Sequence, residues 1–258
     1  MTTDPIAASR SILVTGGGRG IGAAASLLCA ARGWAVGVNY TKDRAAAERI
    51  VETIRSRGGS ALALQADVAD DAAVRAMFST VDRELPPLAG LVNNAGVLDT
   101  PSRVDGLGVE RLQRMFAVNV FGSFYCAREA VLRMKGLPPA SNGSRGSIVN
   151  LSSAAAKLGG AGQYVDYAAA KGAIESFTFG LAKEIAGEGI RVNAVRPGLI
   201  ETEIHASGGS PDRARQMAPL VPMQRPGSAE EVGEAIVWLL SDASSYTTGS
   251  IIEVTGGR

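Results

Sequence analysis

Histidine and cysteine are nearly absent from this chain of 258 residues, which holds one histidine, His205, and two cysteines, Cys29 and Cys126. A single histidine cannot build a histidine-rich metal cage, and it argues against a Ser-His-Asp catalytic triad. Two cysteines exclude a disulfide-rich scaffold and a zinc site built from cysteine alone. We therefore expect no metal site, and we expect both cysteines, which lie in apolar helical patterns, to be small buried side chains.

An excess of charge of either sign is also missing. Lysine and arginine total 26 and aspartate and glutamate total 25, so the formal net charge is +1, which argues against nucleic acid as a partner. No apolar run approaches the roughly 20 residues that a membrane span requires. The start MTTDPIAASR lacks the basic and apolar segments of a secretory signal. The sequence thus predicts a cytoplasmic protein that binds neither nucleic acid nor membranes.

Glycine, by contrast, is abundant, with 32 of the 258 residues, whereas it averages roughly 7% of residues in proteins. Because 46% of the residues are hydrophobic, tight turns and close backbone approaches explain this excess better than disorder does.

Short apolar runs alternate with longer helical patterns along the chain. Seven of these runs are predicted strands, at residues 11–15, 35–40, 61–65, 88–92, 147–151, 191–195 and 251–254. The helical patterns cover residues 20–32, 43–57, 70–83, about 109–134, 165–186 and 229–240. Uninterrupted apolar strands are typical of a parallel sheet covered on both faces. The pattern predicts an α/β fold, with a seven-stranded parallel sheet and helices on both faces. We expect a single Rossmann-type, doubly wound domain over residues 1–258, with a substrate-loop lid at about 199–228.

The glycine-rich segment TGGGRGIG, residues 15–22, follows the first predicted strand and opens the first predicted helix. Glycines let the backbone adopt a positive φ and approach a ligand closely. The helix N-terminus offers free N–H groups and the positive end of a dipole to a pyrophosphate. The segment therefore predicts a dinucleotide site, although its order, Gly16-xxx-Gly20-x-Gly22, differs from the usual GxGxxG.

Several further motifs follow in order along the chain. They are NNAG at residues 93–96, Asn119, the pair Ser152-Ser153, Tyr167-xxx-Lys171, Pro197-Gly198 and a C-terminal segment from Thr248 to Gly257. Together with TGxxxGxG, this set resembles the classical short-chain dehydrogenase/reductase family over nearly the whole chain, and within it 3-oxoacyl-thioester reductases and glucose-dehydrogenase-like enzymes. The resemblance implies an NAD(P)-dependent oxidoreductase that transfers a hydride between the nicotinamide and a carbonyl or alcohol substrate.

Tyr167 and Lys171 lie four residues apart on a predicted helix and so share one face. A lysine ammonium favours the phenolate, so we expect it to lower the tyrosine pKa from about 10; a solvated surface pair is the alternative. The resemblance implies that Tyr167 exchanges a proton with the substrate, that Lys171 also binds the ribose, that Ser153 holds the substrate oxygen and that Asn119 holds a water linking Lys171 to solvent. Ser152 stays open as an alternative, because Ser153 stands 14 residues before Tyr167, one more than the commonest spacing.

The end of the second predicted strand carries no acidic residue to bind a ribose 2′-hydroxyl. Arg19 and Thr41, with Lys42 or Arg44, could instead receive a 2′-phosphate, which favours NADP(H) over NAD(H), although Asp43 is close enough to complicate the preference. Asp67 resembles an adenine contact of the family, with a helix cap as its alternative role. The glycine motif and the resemblance together assign the cofactor contacts to Gly16, Gly18, Arg19, Gly20, Ile21, Gly22, Asn39, Tyr40, Thr41, Asp67, Val68, Asn94, Ala95, Gly96, Tyr167, Lys171, Pro197, Gly198, Ile200 and Thr202.

A 3-oxoacyl thioester is the alternative to a small-molecule carbonyl or alcohol as substrate. Glu188 stands where carrier-dependent members of the family place a basic residue, which argues against docking of an acyl carrier. A dinucleotide-binding sensor and a hydrolase are alternatives of other classes. The complete set Asn119, Ser153, Tyr167 and Lys171 argues against a sensor, and the lack of a GxSxG motif argues against a hydrolase.

The resemblance also implies a homotetramer, with a dimer as the alternative. Candidates for its faces are the apolar side chains of Phe116, Phe121, Phe177, Phe179 and Trp238, with core packing as the alternative for each of them. His205 could line the substrate pocket, but for a lone loop histidine we favour an exposed position.

Overall fold

Seven parallel strands form one sheet in the computed structural model, which describes residues 10–204, 208–210 and 212–258. The strands are β1 Ser11–Val14, β2 Ala35–Tyr40, β3 Ala61–Gln65, β4 Leu88–Asn93, β5 Gly146–Leu151, β6 Ile190–Pro197 and β7 Ile251–Val254. Their order across the sheet is β3-β2-β1-β4-β5-β6-β7, and each neighbouring pair is parallel. The predicted seven-stranded, doubly wound α/β sheet is confirmed.

The helices lie between these strands. They are α1 Gly20–Ala31, α2 Arg44–Ser56, α3 Asp71–Glu84, α4 Val109–Phe116, α5 Gly122–Met134, α6 Ala155–Leu158, α7 Val165–Ile185, α8 Arg213–Gln216 and α9 Ala229–Leu240. Short 3₁₀ turns cover Val104–Gly106, Ala186–Glu188, Ala218–Leu220 and Asp242–Ser244. Local chemistry sets several helix ends: Asp70 accepts hydrogen bonds from the first amides of α3, and Ser228 and Glu231 form a capping box at α9.

Alternate residues of the strands face opposite sides of the sheet, and each side carries its own core. Ile12 and Val14 of β1 pack among residues of α1, α2 and α9, whereas Leu13 packs among residues of α3, α5 and α7. Cys29 lies in the first core and Cys126 in the second. Both cysteines are free and buried, and burial raises the pKa of each thiol to about 12, so they act as small apolar side chains.

The strand order reverses between β1 and β4, which are neighbours at the centre of the sheet. The connections that leave these two strands run to opposite faces, so a crevice opens at the carboxyl ends of the strands. The glycine loop after β1 and the segment after β4 both begin at this edge. The fold thus places the predicted dinucleotide site at the point where ligands bind in open α/β sheets.

Two local features differ from the sequence-based expectation. The predicted helix over residues 109–134 contains a π-helical segment, Ala117–Phe121, between α4 and α5, and α6 lies between β5 and α7, where no helix was predicted. A π segment adds one residue to a turn without changing the apolar pattern enough to be visible in the sequence. The assignment of residues 1–258 to one domain with a lid at about 199–228 stays a prediction, and His205 lies outside the described residues.

No described helix combines the length and the apolar character needed to cross a bilayer. Within residues 10–204, 208–210 and 212–258, no group of three or more His, Cys, Asp or Glu side chains is arranged to hold a metal ion.

Candidate active site

The glycine loop between β1 and α1 needs glycine for two separate reasons. Gly16 and Gly20 have φ values of +62° and +51°, in the left-handed region that strains other residues. A Cβ on Gly22 would lie 2.3 Å from the Gly16 carbonyl oxygen and 2.5 Å from Asn94 Nδ2. No side chain caps the first turn of α1, so its amides remain for a ligand or for water.

Side chains from the neighbouring strands hold this loop in place. Asn94 Nδ2 donates to the carbonyl oxygens of Thr15, at 2.8 Å, and of Gly16, at 3.1 Å. In return, the Thr15 hydroxyl oxygen accepts from the backbone N–H groups of Asn94 and Ala95, each at 3.0 Å. These four bonds join the ends of β1 and β4 across the crevice, so the loop and the NNAG segment form one rigid unit.

Asn39, at the end of β2, is the third support of the loop. Its side chain is 1% exposed, Oδ1 accepts from the Gly16 amide at 3.1 Å, and Nδ2 donates to the carbonyl oxygens of Leu64 and Ala66. Asn39 stays a predicted cofactor contact, and its side-chain amide makes these hydrogen bonds inside the protein. Its physical role is to brace the phosphate loop against β3.

Ser153, Tyr167 and Lys171 come together beside the loop. Ser153 follows β5 and hydrogen-bonds the hydroxyl of Tyr167, which lies in the first turn of α7. Lys171 lies one turn further along α7; its Nζ donates to the Leu151 carbonyl oxygen at 2.7 Å and lies 5.6 Å from the centre of the Tyr167 ring. The structure therefore places the three predicted side chains in one cluster.

The pKa values in this cluster are dominated by burial. Burial raises the pKa of Tyr167, and the hydrogen bond from Ser153 offsets this only in part. Burial lowers the pKa of Lys171 from 10.5 to about 8. The expected lowering of the tyrosine pKa by Lys171 is not seen in this structure, where desolvation of the phenolate by burial is the largest influence and raises the pKa. Tyr167 is consequently a neutral phenol at neutral pH.

The two adjacent serines have different surroundings. Ser152 is buried and donates to Glu175 Oε1 at 2.6 Å, while Ser153 contacts Tyr167. Glu175 also forms a bidentate pair with Arg196, with both distances at 2.7 Å. Burial alone would raise the pKa of Glu175, but hydrogen bonds from Arg196 and Ser152 hold it below its usual value. The geometry thus favours Ser153 over Ser152 as the group that meets a substrate.

The Glu175–Arg196 pair was missed at the level of the sequence. The available signal was Glu175 one turn after Lys171 on the same helix, with Arg196 near the carboxyl end of β6. Arg196 also forms an ion pair with Glu253 in β7, and Glu253 in turn pairs with Lys157. A line of ion pairs therefore runs from Ser152 to the protein surface.

Asn119 lies in the π-helical segment and is buried. Its Oδ1 accepts from the Val97 amide at 3.1 Å, and its Nδ2 donates to the carbonyl oxygens of Val97 and Met115 at 3.0 Å. A Cβ on Gly96 would lie 2.8 Å from Asn119 Oδ1 and 3.7 Å from Lys171 Nζ. Gly96 thus leaves room beside its backbone for the amide of Asn119 and the ammonium of Lys171.

A cavity of about 520 Å³ opens at this edge of the sheet, and Ser153, Tyr167 and Lys171 line it. Other lining residues were predicted as cofactor contacts, namely Ile21, Asn94, Gly96, Pro197, Gly198, Ile200 and Thr202. Its volume falls within the range typical of small-molecule sites. The cavity therefore joins the dinucleotide loop to the tyrosine–lysine pair.

The predicted contacts nearer to β2 and β3 lie outside this cavity. Arg19 and Thr41 are exposed, Tyr40 and Val68 are buried, and Asp67 uses Oδ1 to accept from the Ala69 amide at 3.0 Å. The cap of α3 is Asp70 and not Asp67.

The basic side chains after β2 differ in their partners. Arg44 pairs with Glu48 at 3.4 Å, and Asp43 accepts from the Ala46 amide at the start of α2. Arg19 makes no ion pair with any described residue. Arg19 is therefore a cation at the loop that is available to an anionic ligand.

Comparison with known proteins agrees with this site. A family model described as "Enoyl-(Acyl carrier protein) reductase" matches residues 16–258. The chain is 54% identical, over 95% of its length and 98% of the relative, to "Uncharacterized oxidoreductase YgfF" of Escherichia coli K12. It is 36% identical, over 97% of its length and 94% of the relative, to an "NADPH-dependent aldehyde reductase-like protein, chloroplastic" of Arabidopsis thaliana. A solved short-chain dehydrogenase from Burkholderia cenocepacia J2315 in complex with NADP matches with a TM-score of 0.88 and 30% identity, over 97% of this chain and 98% of that one.

Proposed function

Because this chain belongs to the short-chain dehydrogenase/reductase family and is an NAD(P)-dependent oxidoreductase, we propose that it transfers a hydride between NADP(H) and the carbonyl or alcohol group of a small molecule. One observation carries the proposal. Ser153 and Tyr167 line one cavity together with Lys171 and the glycine loop's neighbour Asn94.

The glycine loop fits the pyrophosphate of a dinucleotide. Its glycines leave no Cβ between the backbone and a ligand, and the first turn of α1 lacks a side-chain cap. Gly20, Ile21 and Gly22 would hold the phosphates through their amides, and Lys171 would reach the adjacent ribose. When bound, the nicotinamide supplies or accepts the hydride.

The cluster at the start of α7 handles the proton. Burial keeps the Tyr167 hydroxyl protonated, so it can donate its proton to a carbonyl oxygen as negative charge develops there. The Ser153 hydroxyl offers a second hydrogen bond to the same oxygen. The ammonium of Lys171, near the ring of Tyr167, stabilises the phenolate that remains. In the oxidative direction the same groups take the proton from the alcohol.

The preference for NADP(H) over NAD(H) rests on charge. Arg19 is exposed beside the loop without an ion pair among the described residues, and no acidic residue stands at the end of β2 to repel a phosphate. Two of the similar proteins are named for NADP or NADPH. We expect kcat/KM to be higher with NADPH than with NADH, and we expect Arg19→Gln to lower the NADPH value at least about tenfold with little effect on the NADH value. Equal loss with both cofactors would argue against this role for Arg19.

The reaction is tested by following the loss of NADPH absorbance with a panel of aldehydes and ketones. We expect Tyr167→Phe to reduce kcat at least about a hundredfold, because it removes the proton donor, and to leave NADPH binding intact. Tyr125→Phe, on α5 and outside the cavity, is the matched control. Turnover that persists unchanged in Tyr167→Phe would contradict the assignment, and no turnover of any carbonyl would favour a sensor.

The remaining parts of the proposal concern organisation and assembly. We infer one catalytic domain, a cytoplasmic location and a homotetramer, with a dimer as the alternative. Phe121, Phe179 and Trp238 are 49%, 43% and 38% exposed, which supports an apolar contact face. Phe116 and Phe177 pack partly into the cores instead. Sedimentation and cell fractionation test these points. A carrier-bound 3-oxoacyl thioester is less favoured, because Glu188 stands where an acidic carrier would need positive charge and its ion pair at 3.0 Å also neutralises Lys135.

A further inference from the structure

We propose that Arg213 makes the cavity selective for a carbonyl compound that also bears a carboxylate group, an inference that rests on the proposed function. Arg213 begins α8 and lines the same cavity as Ser153 and Tyr167. Arg213 belongs to none of the motifs that resemble the family.

The guanidinium of Arg213 is held near the reacting end of the cavity. Its Nη2 donates to Gln163 Oε1 at 2.8 Å, and its Cζ lies 5.2 Å from the centre of the Tyr164 ring. Gln163 and Tyr164 immediately precede α7, whose first turn carries Tyr167. Two residues that closely precede the proton donor in the chain therefore hold this cation in the cavity where a carbonyl would react.

The positive charge of Arg213 has no partner. It forms no ion pair with a described residue, and no described Asp or Glu side chain lines the cavity. Arg215, two residues later, is different, because it pairs with Glu201 at 2.6 Å and is 74% exposed. Among the described residues, only Gln163 accepts a hydrogen bond from the Arg213 guanidinium, so most of its five N–H donors are available to a ligand.

The surroundings of Arg213 combine apolar groups with its charge. Leu98, Leu158 and Met217 line the same cavity as apolar side chains. A planar guanidinium pairs with a planar carboxylate through two parallel hydrogen bonds. We therefore expect a carboxylate on the substrate to bind Arg213 while the carbonyl group faces Tyr167 and Ser153. Arg258 also lines the cavity, but the inference uses Arg213 alone.

The test compares two substrates that differ only in charge, para-carboxybenzaldehyde and its neutral methyl ester. The wild-type enzyme should reduce the acid with a kcat/KM at least about tenfold above that of the ester, the range expected of a charge-assisted hydrogen bond. Arg213→Gln should remove this preference, mainly through KM of the acid, and should leave the ester within about twofold. Arg213→Lys should retain part of the preference, and Arg215→Gln, the matched control on the same helix, should retain all of it.

Failure of the inference and failure of the proposed function give different results. Reduction of both aldehydes with equal efficiency, or a preference that survives Arg213→Gln, overturns the inference and leaves the reductase intact. If neither aldehyde is reduced, the anion site is tested by binding instead. The folded protein is titrated calorimetrically with benzoate and with benzamide in the presence of NADP⁺. Benzoate binding that weakens in Arg213→Gln and not in Arg215→Gln supports the anion site, and equal binding of benzoate and benzamide overturns it.

Discussion

Lys171 is expected to destabilise the fold that it serves. Lys171 is 5% exposed, and among the described residues its ammonium donates one hydrogen bond, to the carbonyl oxygen of Leu151. Burial lowers its pKa to about 8. We therefore predict that Lys171→Met abolishes hydride transfer and makes the protein more stable at neutral pH. Methionine matches lysine in length and is apolar, so the change removes the charge without opening a large cavity.

The size of the effect follows from the two pKa values. A lysine whose pKa falls from 10.5 in the unfolded chain to about 8 in the folded protein costs about 3 kcal/mol of stability when both states are protonated. The lost hydrogen bond to Leu151 costs the variant about 1 kcal/mol, which leaves a net gain of about 2 kcal/mol.

The sign of the pH dependence is fixed by the proton balance. The unfolded chain keeps a proton that the folded protein releases between pH 8 and 10.5. The penalty is therefore complete below pH 8, decreases as the pH rises and vanishes above 10.5. The advantage of the variant should fall close to zero by about pH 9.5.

Urea unfolding of the wild-type protein and the variant, without cofactor, at about pH 7 and about pH 9.5 measures this difference. Lys183→Met, at an exposed position on the same helix, is the control and should stay within about 0.5 kcal/mol of the wild type at both pH values. A variant that is less stable than the wild type at pH 7, or a gain that is the same at both pH values, would refute the reasoning.

Two further predictions concern the supports of the site. Glu175→Gln removes one of the two carboxylates that pair with Arg196 and weakens the hydrogen bond from Ser152. The free energy of unfolding should therefore fall by about 2 to 4 kcal/mol, and kcat should fall with little change in the KM for NADPH. Unchanged stability in thermal and urea melts would contradict the role of this pair. Gly22→Ala places a Cβ within 2.3 Å of the Gly16 carbonyl oxygen, so the NADPH dissociation constant, measured by fluorescence, should rise at least about tenfold. The control is Gly180→Ala, whose Cβ meets nothing within 4 Å and which should bind NADPH normally.

Most of the fold was predictable because its signals are local. The apolar runs of β2, β3 and β7 and the pattern of α9 match the observed bounds residue for residue. The π-helical segment around Asn119 and the short helix α6 could not be predicted, because tertiary contacts decide them. Asn119 bonds the Val97 backbone from a segment 22 residues away, and no local pattern carries that information.

The candidate site also has parts that the sequence predicts and parts that depend on packing. Motif chemistry in the sequence was enough to identify the glycine loop, the Tyr167–Lys171 pair and the oxidoreductase family, because these depend on residue type and spacing. Burial reversed the expected direction of the Tyr167 pKa, since desolvation depends on everything packed around the ring. Packing also turned Asn39 inward and separated the surroundings of Ser152 and Ser153.

The sequence by itself determined the type of fold, the glycine loop and the candidate residues for proton transfer. Only the tertiary structure decided how the charges are matched: Glu175 meets Arg196 across 21 residues of chain, while Arg213 forms no ion pair with a described residue. The physical reason is that the free energy of a charge depends on the distance of its neighbours and on the water around it, and folding alone sets both.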